Sequence, residues 1–321
     1  MTSLTVPIRR RFAVPPGLLR HAGLLAVLLF VSTCIGLMSD VFLTAPNLLN
    51  ILRQVSVVAV LAAGLTLLMT AGGIDFSLGS QAAVVHAVTA QLLVSGTPVP
   101  TAVAVGLLVG LGVGLINGLI ITLFGIAPFV VTLATATALD GVALIVMNGQ
   151  SISIGTALSP LAGNVFGIPV LLMIATVVCV LVAVTLRWTR FGRAAFAIGG
   201  NSATARLSGI PVQWFTVSIY TLNGLLAGLA GVMLLARLGA ASPGTGGLYL
   251  ELTVVAAVVI GGTALHGGNG TLVGTVLGVL LLGILANGIN LLQISSFYQP
   301  VSVGLVLLVA AIANQLRRYR T

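Results

Sequence analysis

Long apolar stretches, separated by short polar or glycine-rich connections, dominate the chain. Ten can be marked, and most approach the ~20 residues that an α-helix needs to cross the hydrocarbon core of a bilayer. The pattern predicts an all-α integral membrane protein with about ten transmembrane helices. The third and eighth stretches have glycine or polar borders, so we expect them to be broken or partly re-entrant. The stretches are Ala22–Ser39, Gln54–Ala71, Leu78–Ser95, Thr101–Leu123, Pro128–Met147, Pro169–Leu186, Trp214–Ala236, Leu252–Leu265, Thr271–Leu292 and Gln299–Ala313.

Composition excludes a soluble protein. Of the 321 residues, 58% are hydrophobic and 5% are charged, whereas a soluble domain has roughly 25% charged residues. The mean hydropathy is +1.22. Lipid is therefore the expected solvent for most of the chain, and a multi-pass membrane protein is the expected class.

The net charge of +9 comes from 13 basic residues, which are all arginines. Clusters that flank apolar stretches are typical of the cytoplasmic side of a membrane protein rather than of a nucleic-acid-binding face. An even number of spans with both termini cytoplasmic places nearly all of them inside. The predicted parts are an N-terminal tail (1–21), a membrane domain (22–316) with a cytoplasmic loop (187–213), and a C-terminal tail (317–321). The clustered arginines are Arg9, Arg10, Arg11, Arg20, Arg187, Arg190, Arg193, Arg206, Arg317, Arg318 and Arg320.

Ionisable chemistry is scarce. Of the 4 acidic residues, only Asp140 lies clearly within a predicted span, and ion-coupled carriers need paired ionisable groups at membrane depth. The chain has no lysine, so it lacks the residue that follows the glycines of a phosphate-binding loop. The histidines, Cys34 and Cys179 show no metal-ligand spacing. We therefore expect no cofactor, no metal and no enzymatic residue set.

Neutral polar side chains within the spans suit a hydroxylated, uncharged solute better than an ion. The alternative is that each one forms an interhelical hydrogen bond. Together with the acidic residues other than Asp40, they are the candidate solute pathway, and Glu251 is a candidate for its outer mouth. The candidates are Asp75, Asn117, Asp140, Asn223, Glu251, Asn287 and Asn290.

Glycines recur at helical spacing in several stretches, as at Gly106, Gly110, Gly114 and Gly118. Small residues let helix backbones approach closely in lipid, where hydrophobicity does not bring helices together. We interpret the glycine stripes as packing within one bundle rather than as a dimer face.

The cytoplasmic loop contains a capped segment. Asn201 or Ser202 is a good N-cap, Gly209 is a good C-terminal stop, and Pro211 cannot continue a helix. The pattern predicts a helix of about two turns outside the membrane. It is either a docking element for a cytoplasmic partner or an ordinary capped surface loop. Its expected contact residues are Asn201, Ser202, Ala205, Arg206, Leu207, Ser208, Gly209 and Ile210.

Four stretches in the same order resemble the permease subunits of the ribose, xylose and arabinose class of ABC importers. They are Gly64–Ser80 with the run Gly72-Gly73-Ile74-Asp75-Phe76-Ser77, then Ile116–Gly118 with Pro128–Leu133, then Gly199–Ile210, and last Ala256–Thr263 with Gly267–Gly270. The similarity extends from about Asn47 to Asn314. Two positions depart from the pattern: Asp140 stands where the family often has a basic residue, and Thr253 stands where many members have Asp.

The resemblance implies a bundle like that of type II ABC importers and a role in carrying a monosaccharide into the cell. It also implies a cytoplasmic ATPase subunit that binds the 201–210 segment, an extracytoplasmic sugar-binding protein, and a second permease copy, identical or related. An ion-coupled or passive carrier for a neutral polar solute is the alternative, and a membrane-bound enzyme has no residue set in its favour. The identity of the sugar or polyol stays open at this point.

Overall fold

A computed structural model describes residues 16–318, with side chains described from 21 to 308. Residues 1–15 and 319–321 of the two predicted tails, with Arg9, Arg10, Arg11 and Arg320, lie outside the described residues. The elements are α1 Pro16–Met38, α2 Ala45–Thr70, α3 Leu78–Val94, α4 Val99–Phe124, α5 Pro128–Val146, β1 Ile152–Ser153, α6 Ser159–Ala162, β2 Asn164–Val165, β3 Ile168–Pro169, α7 Val170–Trp188, α8 Arg190–Gly200, α9 Ser202–Leu207, α10 Val212–Leu238, β4 Ala240–Ala241, α11 Gly247–Ile260, α12 Leu272–Leu291 and α13 Tyr298–Arg318.

Each predicted apolar stretch corresponds to one helix. Within the described residues, 7 helices are long and apolar enough to cross a membrane: α1, α2, α4, α5, α7, α10 and α12. The third and eighth stretches form the short helices α3, with 17 residues, and α11, with 14 residues. The prediction of a helical, multi-pass membrane protein is thereby confirmed. A count of ten crossings depends in addition on α3, α11 and α13.

The helices α2 and α10 form the centre of the bundle. Over an apolar stretch of 18 residues in each helix, 72% of the residues of α2 and 78% of those of α10 are buried, against 6% for α1 at the periphery. Gly110 and Gly114 of α4 face Gly224 and Gly228 of α10, where an added methyl group would overlap the opposite backbone. Because only glycine allows this approach, the prediction that the glycine stripes pack the bundle is confirmed.

Short strands tie together connections at one end of the bundle. The α5–α6 and α10–α11 connections pair through β1 and β4, with Ile152 opposite Ala241, and Ser151 Oγ donates to Ser242 Oγ at 2.9 Å. Strands β2 and β3 form a hairpin. One of its residues, Asn164, accepts a hydrogen bond from Arg53 of α2 at 2.8 Å.

The predicted cytoplasmic loop contains two helices rather than one. The two-turn helix is α9, whose N-cap Asn201 accepts from the Thr204 backbone N–H at 3.0 Å, and Gly209 follows it with a φ of +82°. Helix α8 was not predicted, because its glycines lower helix propensity. Its stability comes instead from burial of Ala195 and Ile198 against the bundle.

Candidate functional site

A buried polar network surrounds the connection between α2 and α3. Asp75 Oδ1 accepts from the Ser77 backbone N–H at 2.9 Å and from Ser77 Oγ at 2.6 Å. Asp75 Oδ2 accepts from Asn223 Nδ2 of α10 at 3.3 Å. Ser77 Oγ in turn accepts from Gln81 Nε2 at 2.8 Å and from Asn117 Nδ2 of α4 at 3.0 Å.

The network extends to α5 through Thr135, which donates to Asn117 Oδ1 at 2.7 Å. Next to Asp75 in the chain, the Ile74 carbonyl accepts a hydrogen bond from the Tyr220 hydroxyl of α10 at 2.8 Å. We use the name polar network for the six residues that share side-chain hydrogen bonds. They are Asp75, Ser77, Gln81, Asn117, Thr135 and Asn223.

Three of the candidate pathway residues therefore meet in one place. Asp75, Asn117 and Asn223 are at most 1% exposed, and each is hydrogen-bonded to another member of the network. For the two asparagines this is the interhelical bonding that the sequence left open as the alternative. In this conformation the three side chains hold α3, α4, α5 and α10 together.

Asp140 of α5 and Glu251 of α11 are here called the acidic pair. They lie at the first turns of α11 and are not members of the polar network. Asp140 lines a cavity of about 230 Å³ together with residues 244–249. A methyl group added at Gly247 would lie 3.3 Å from Asp140 Oδ1. Glu251, one turn further along α11, is 1% exposed, and neither of its carboxylate oxygens has a hydrogen-bond partner among the described residues.

The last two candidates lie apart from both sets. Asn287 of α12 and Asn47 of α2 exchange reciprocal amide hydrogen bonds of 2.8 and 3.1 Å. Asn290 accepts from Gln299 Nε2 at 2.9 Å, and Gln299 Oε1 accepts from the Tyr249 hydroxyl at 3.3 Å. The seven candidates thus divide among the polar network, the acidic pair and two separate amide contacts.

Several residues of these sites escaped the sequence analysis. Ser77 and Gln81 carry a local signal, because a Ser two residues after an Asp favours a side-chain turn and the next polar residue follows at helical spacing. Arg237, in the last turn of α10, was not a candidate either. It lines a cavity of about 130 Å³ with polar residues from α2, α11 and α13: Gln54, Tyr249, Thr253 and Gln299.

The predicted contact segment 201–210 is exposed except at two positions. Leu207 is 89% exposed, whereas Ala205 is 3% exposed and is turned toward the protein. The Ile210 backbone N–H donates to the Ala205 carbonyl at 3.1 Å and closes the helix end. The exposed members of the predicted contact set are Asn201, Ser202, Arg206, Leu207, Ser208 and Gly209, and Ile210 is half-buried.

Among the described residues, no group of three or more His, Cys, Asp or Glu side chains lies close enough together to hold an ion.

Comparison with known proteins gives consistent results. The family described as "Branched-chain amino acid transport system / permease component" matches residues 47–311. The ribose import permease protein of Bacillus subtilis is 43% identical over 303 residues, covering 93% of this chain and 94% of that protein. The ribose import permease protein of Escherichia coli is 39% identical over 324 residues, covering 99% of this chain and 100% of that protein. The D-allose transport system permease protein of Escherichia coli is 35% identical over 296 residues, covering 91% of this chain and 90% of that protein. No solved structure matches the chain.

Proposed function

The chain belongs to the family of transport-system permease components, and from this premise we propose that it is the membrane subunit of an ABC importer that carries a monosaccharide of the ribose class into the cell. The observation that carries the proposal is the near full-length similarity to ribose and allose import permeases. The family's own description names branched-chain amino acids. The individual relatives favour a sugar instead.

The proposed topology has ten crossings and cytoplasmic termini. Gly199 of the arginine-bearing α8 contacts Thr70 and Gly268, so the ends of α2 and α11 lie at the same face as α8. Gln299 contacts Asn290 and Tyr249, so the end of α12 and the starts of α11 and α13 meet at another place. Alternating directions for ten helices satisfy both sets of contacts and agree with the positive-inside rule.

A second permease copy is proposed to face α5. Only 22% of the α5 span is buried, and its uncovered surface includes the exposed Thr137 and the half-exposed Asp140. A carboxylate at membrane depth is costly against lipid and normally faces a bundle interior or a water-filled cavity. A homodimer or related heterodimer that encloses this face would create a passage lined by Asp140 and the start of α11, with Glu251 behind it.

The motor of such a subunit is a separate cytoplasmic ATPase, and an extracytoplasmic binding protein delivers the solute. We propose that the ATPase binds the 201–210 segment through the exposed Arg206 and Leu207. ATP-driven closure of the ATPase would shift the bundle between states that open to opposite sides, because the ATPase contacts the two states differently.

The experiment is transport by the full complex in liposomes, with radiolabelled D-ribose as the first solute and D-allose and leucine as comparison solutes. We expect ATP-dependent accumulation of a sugar that requires both the ATPase and the binding protein. Transport of leucine instead of the sugars would contradict the proposed solute class. Accumulation by the permease alone, driven by a proton or sodium gradient, would contradict the ABC mechanism.

The contact segment has its own test. Arg206→Glu and Leu207→Glu should abolish sugar uptake and solute-stimulated ATP hydrolysis while the protein still reaches the membrane. Arg206→Lys and Leu207→Met keep charge and apolar surface and are the matched controls. Normal coupling in both Glu variants would remove α9 from the mechanism.

A further inference from the structure

Three backbone segments meet at one threonine and four glycines. We call this set the glycine junction, and its members are Thr70, Gly72, Gly199, Gly267 and Gly268. The Gly268 N–H donates to the Thr70 carbonyl at 2.9 Å. A methyl group added at Gly267 would lie 2.7 Å from Gly72 Cα and 2.8 Å from Gly199 Cα. The end of α8 therefore touches the α2–α3 and α11–α12 connections backbone to backbone.

Direct contact between backbones cannot absorb small displacements. Side chains absorb small displacements by changing rotamer, but the junction has no side chain between Gly199 and the carbonyl of Thr70. Close-packed interiors transmit strain, so a shift of α8 acts directly on the neighbouring backbones. Helix α9 follows α8 after one residue, Asn201, which caps α9.

The junction continues into the polar network. Gly72 lies three residues before Asp75 in the chain, and the Gly73 N–H donates to the Leu68 carbonyl at 3.1 Å. Ile74 is held by Tyr220, and Asp75 is held by Ser77 and Asn223. A displacement at Gly72 therefore moves the residue that connects α3 with α10.

We propose that Gly199 is the position through which movement of the α8–α9 segment reaches the α2–α3 connection and the polar network. It is a positioning residue that determines how much solute moves for each ATP hydrolysed. The inference rests on the proposed function and adds to it a route that leads from the α9 contact through α8 to the membrane interior.

The test compares Gly199→Ala with Gly200→Ala in the complete complex in liposomes. A methyl group at Gly199 would overlap the Thr70 carbonyl oxygen and the Gly268 nitrogen, whereas at Gly200 nothing lies within 4 Å. Both substitutions introduce the same group in the same helical turn. We expect Gly199→Ala to lower D-ribose moved per ATP hydrolysed by roughly tenfold, a coupling loss of the usual size for linked sites. Its ATPase assembly and basal hydrolysis should be retained, and Gly200→Ala should match the wild type.

A wild-type ratio of transport to hydrolysis in Gly199→Ala would overturn the proposal. If that variant does not fold, hydrogen exchange in the wild-type complex replaces it. Nucleotide binding to the ATPase should then change exchange in residues 190–200, 71–77 and 261–271 together. A change confined to α8 and α9 would also overturn the inference. Failure of the wild-type complex to transport any sugar would instead refute the proposed function.

Discussion

Asp75 of the polar network and Glu251 of the acidic pair are both acidic residues buried in the helical bundle, yet their hydrogen bonding is opposite. Asp75 accepts from two donors of Ser77 and from Asn223. Glu251 is equally buried, but its oxygens have no partner among the described residues. Hydrogen-bond donors offset the cost of burying a carboxylate, whereas a buried carboxyl group without a partner costs stability. An ionisable side chain at membrane depth normally serves function. In this conformation Asp75 is part of the framework, and the unpaired carboxyl group of Glu251 supports the proposal that Glu251 serves the passage.

The largest expected effect on stability is that of Asp75→Ala. The substitution leaves the Ser77 N–H, the Ser77 hydroxyl and the Asn223 amide without an acceptor, which should cost about 3 kcal/mol or more. Thermal unfolding of the purified protein in detergent measures it.

Asp75→Asn is the matched control. Its Oδ1 still accepts from Ser77, and Asn223 can rotate its amide to present Oδ1, which has no partner among the described residues. Stability near that of the wild type is expected for Asp75→Asn. An Asp75→Ala variant as stable as the wild type would show that the network is not part of the framework.

Asn287→Ala should have a smaller effect, about 1 kcal/mol, because interhelical hydrogen bonds in membranes contribute modestly. It removes the buried reciprocal contact with Asn47. Asn290→Ala removes an exposed contact with Gln299 and is the control, with a change within about 0.5 kcal/mol. An equal loss in both variants would mean that burial does not decide the cost.

Glu251→Gln should not lower the stability of the protein, in contrast to Asp75→Ala. The neutral isostere keeps the shape of the side chain and cannot carry a buried, unpaired charge, so the unfolding temperature should stay the same or rise. ATP-dependent D-ribose uptake should fall if Glu251 serves the passage. Loss of stability in Glu251→Gln would place Glu251 in the framework with Asp75, and unchanged uptake in Glu251→Ala would remove it from the pathway.

Asp140→Asn should have the smallest effect on stability, within about 0.5 kcal/mol, because Asp140 lines a cavity rather than a packed core. Its effect should appear in transport, as a change in the relative uptake of D-ribose and D-allose. Ala138→Ser, which adds a polar group at an exposed position on the same helix, is the control. An unchanged sugar preference in Asp140→Asn would separate Asp140 from the passage.

The sequence indicated which side chains are polar and buried, but not how they pair. Asn117 and Asn223 were identified from their place in apolar stretches, yet their common link through Ser77 and Asp75 joins residues up to 148 positions apart. Helix α9 was predictable from its local cap at Asn201. Helix α8 was not, because it depends on burial of Ala195 and Ile198 against other helices.

What the sequence alone determined is the set of helices and their solvent. In lipid each backbone polar group must be satisfied within its own span, so an apolar stretch of sufficient length specifies a helix without help from its neighbours. Which helices touch was decided only by the tertiary structure, because close approach at Gly110, Gly224 and Gly199 depends on two surfaces that are distant in the chain. For the same reason, only the tertiary structure separates the satisfied carboxylate of Asp75 from the unpaired one of Glu251.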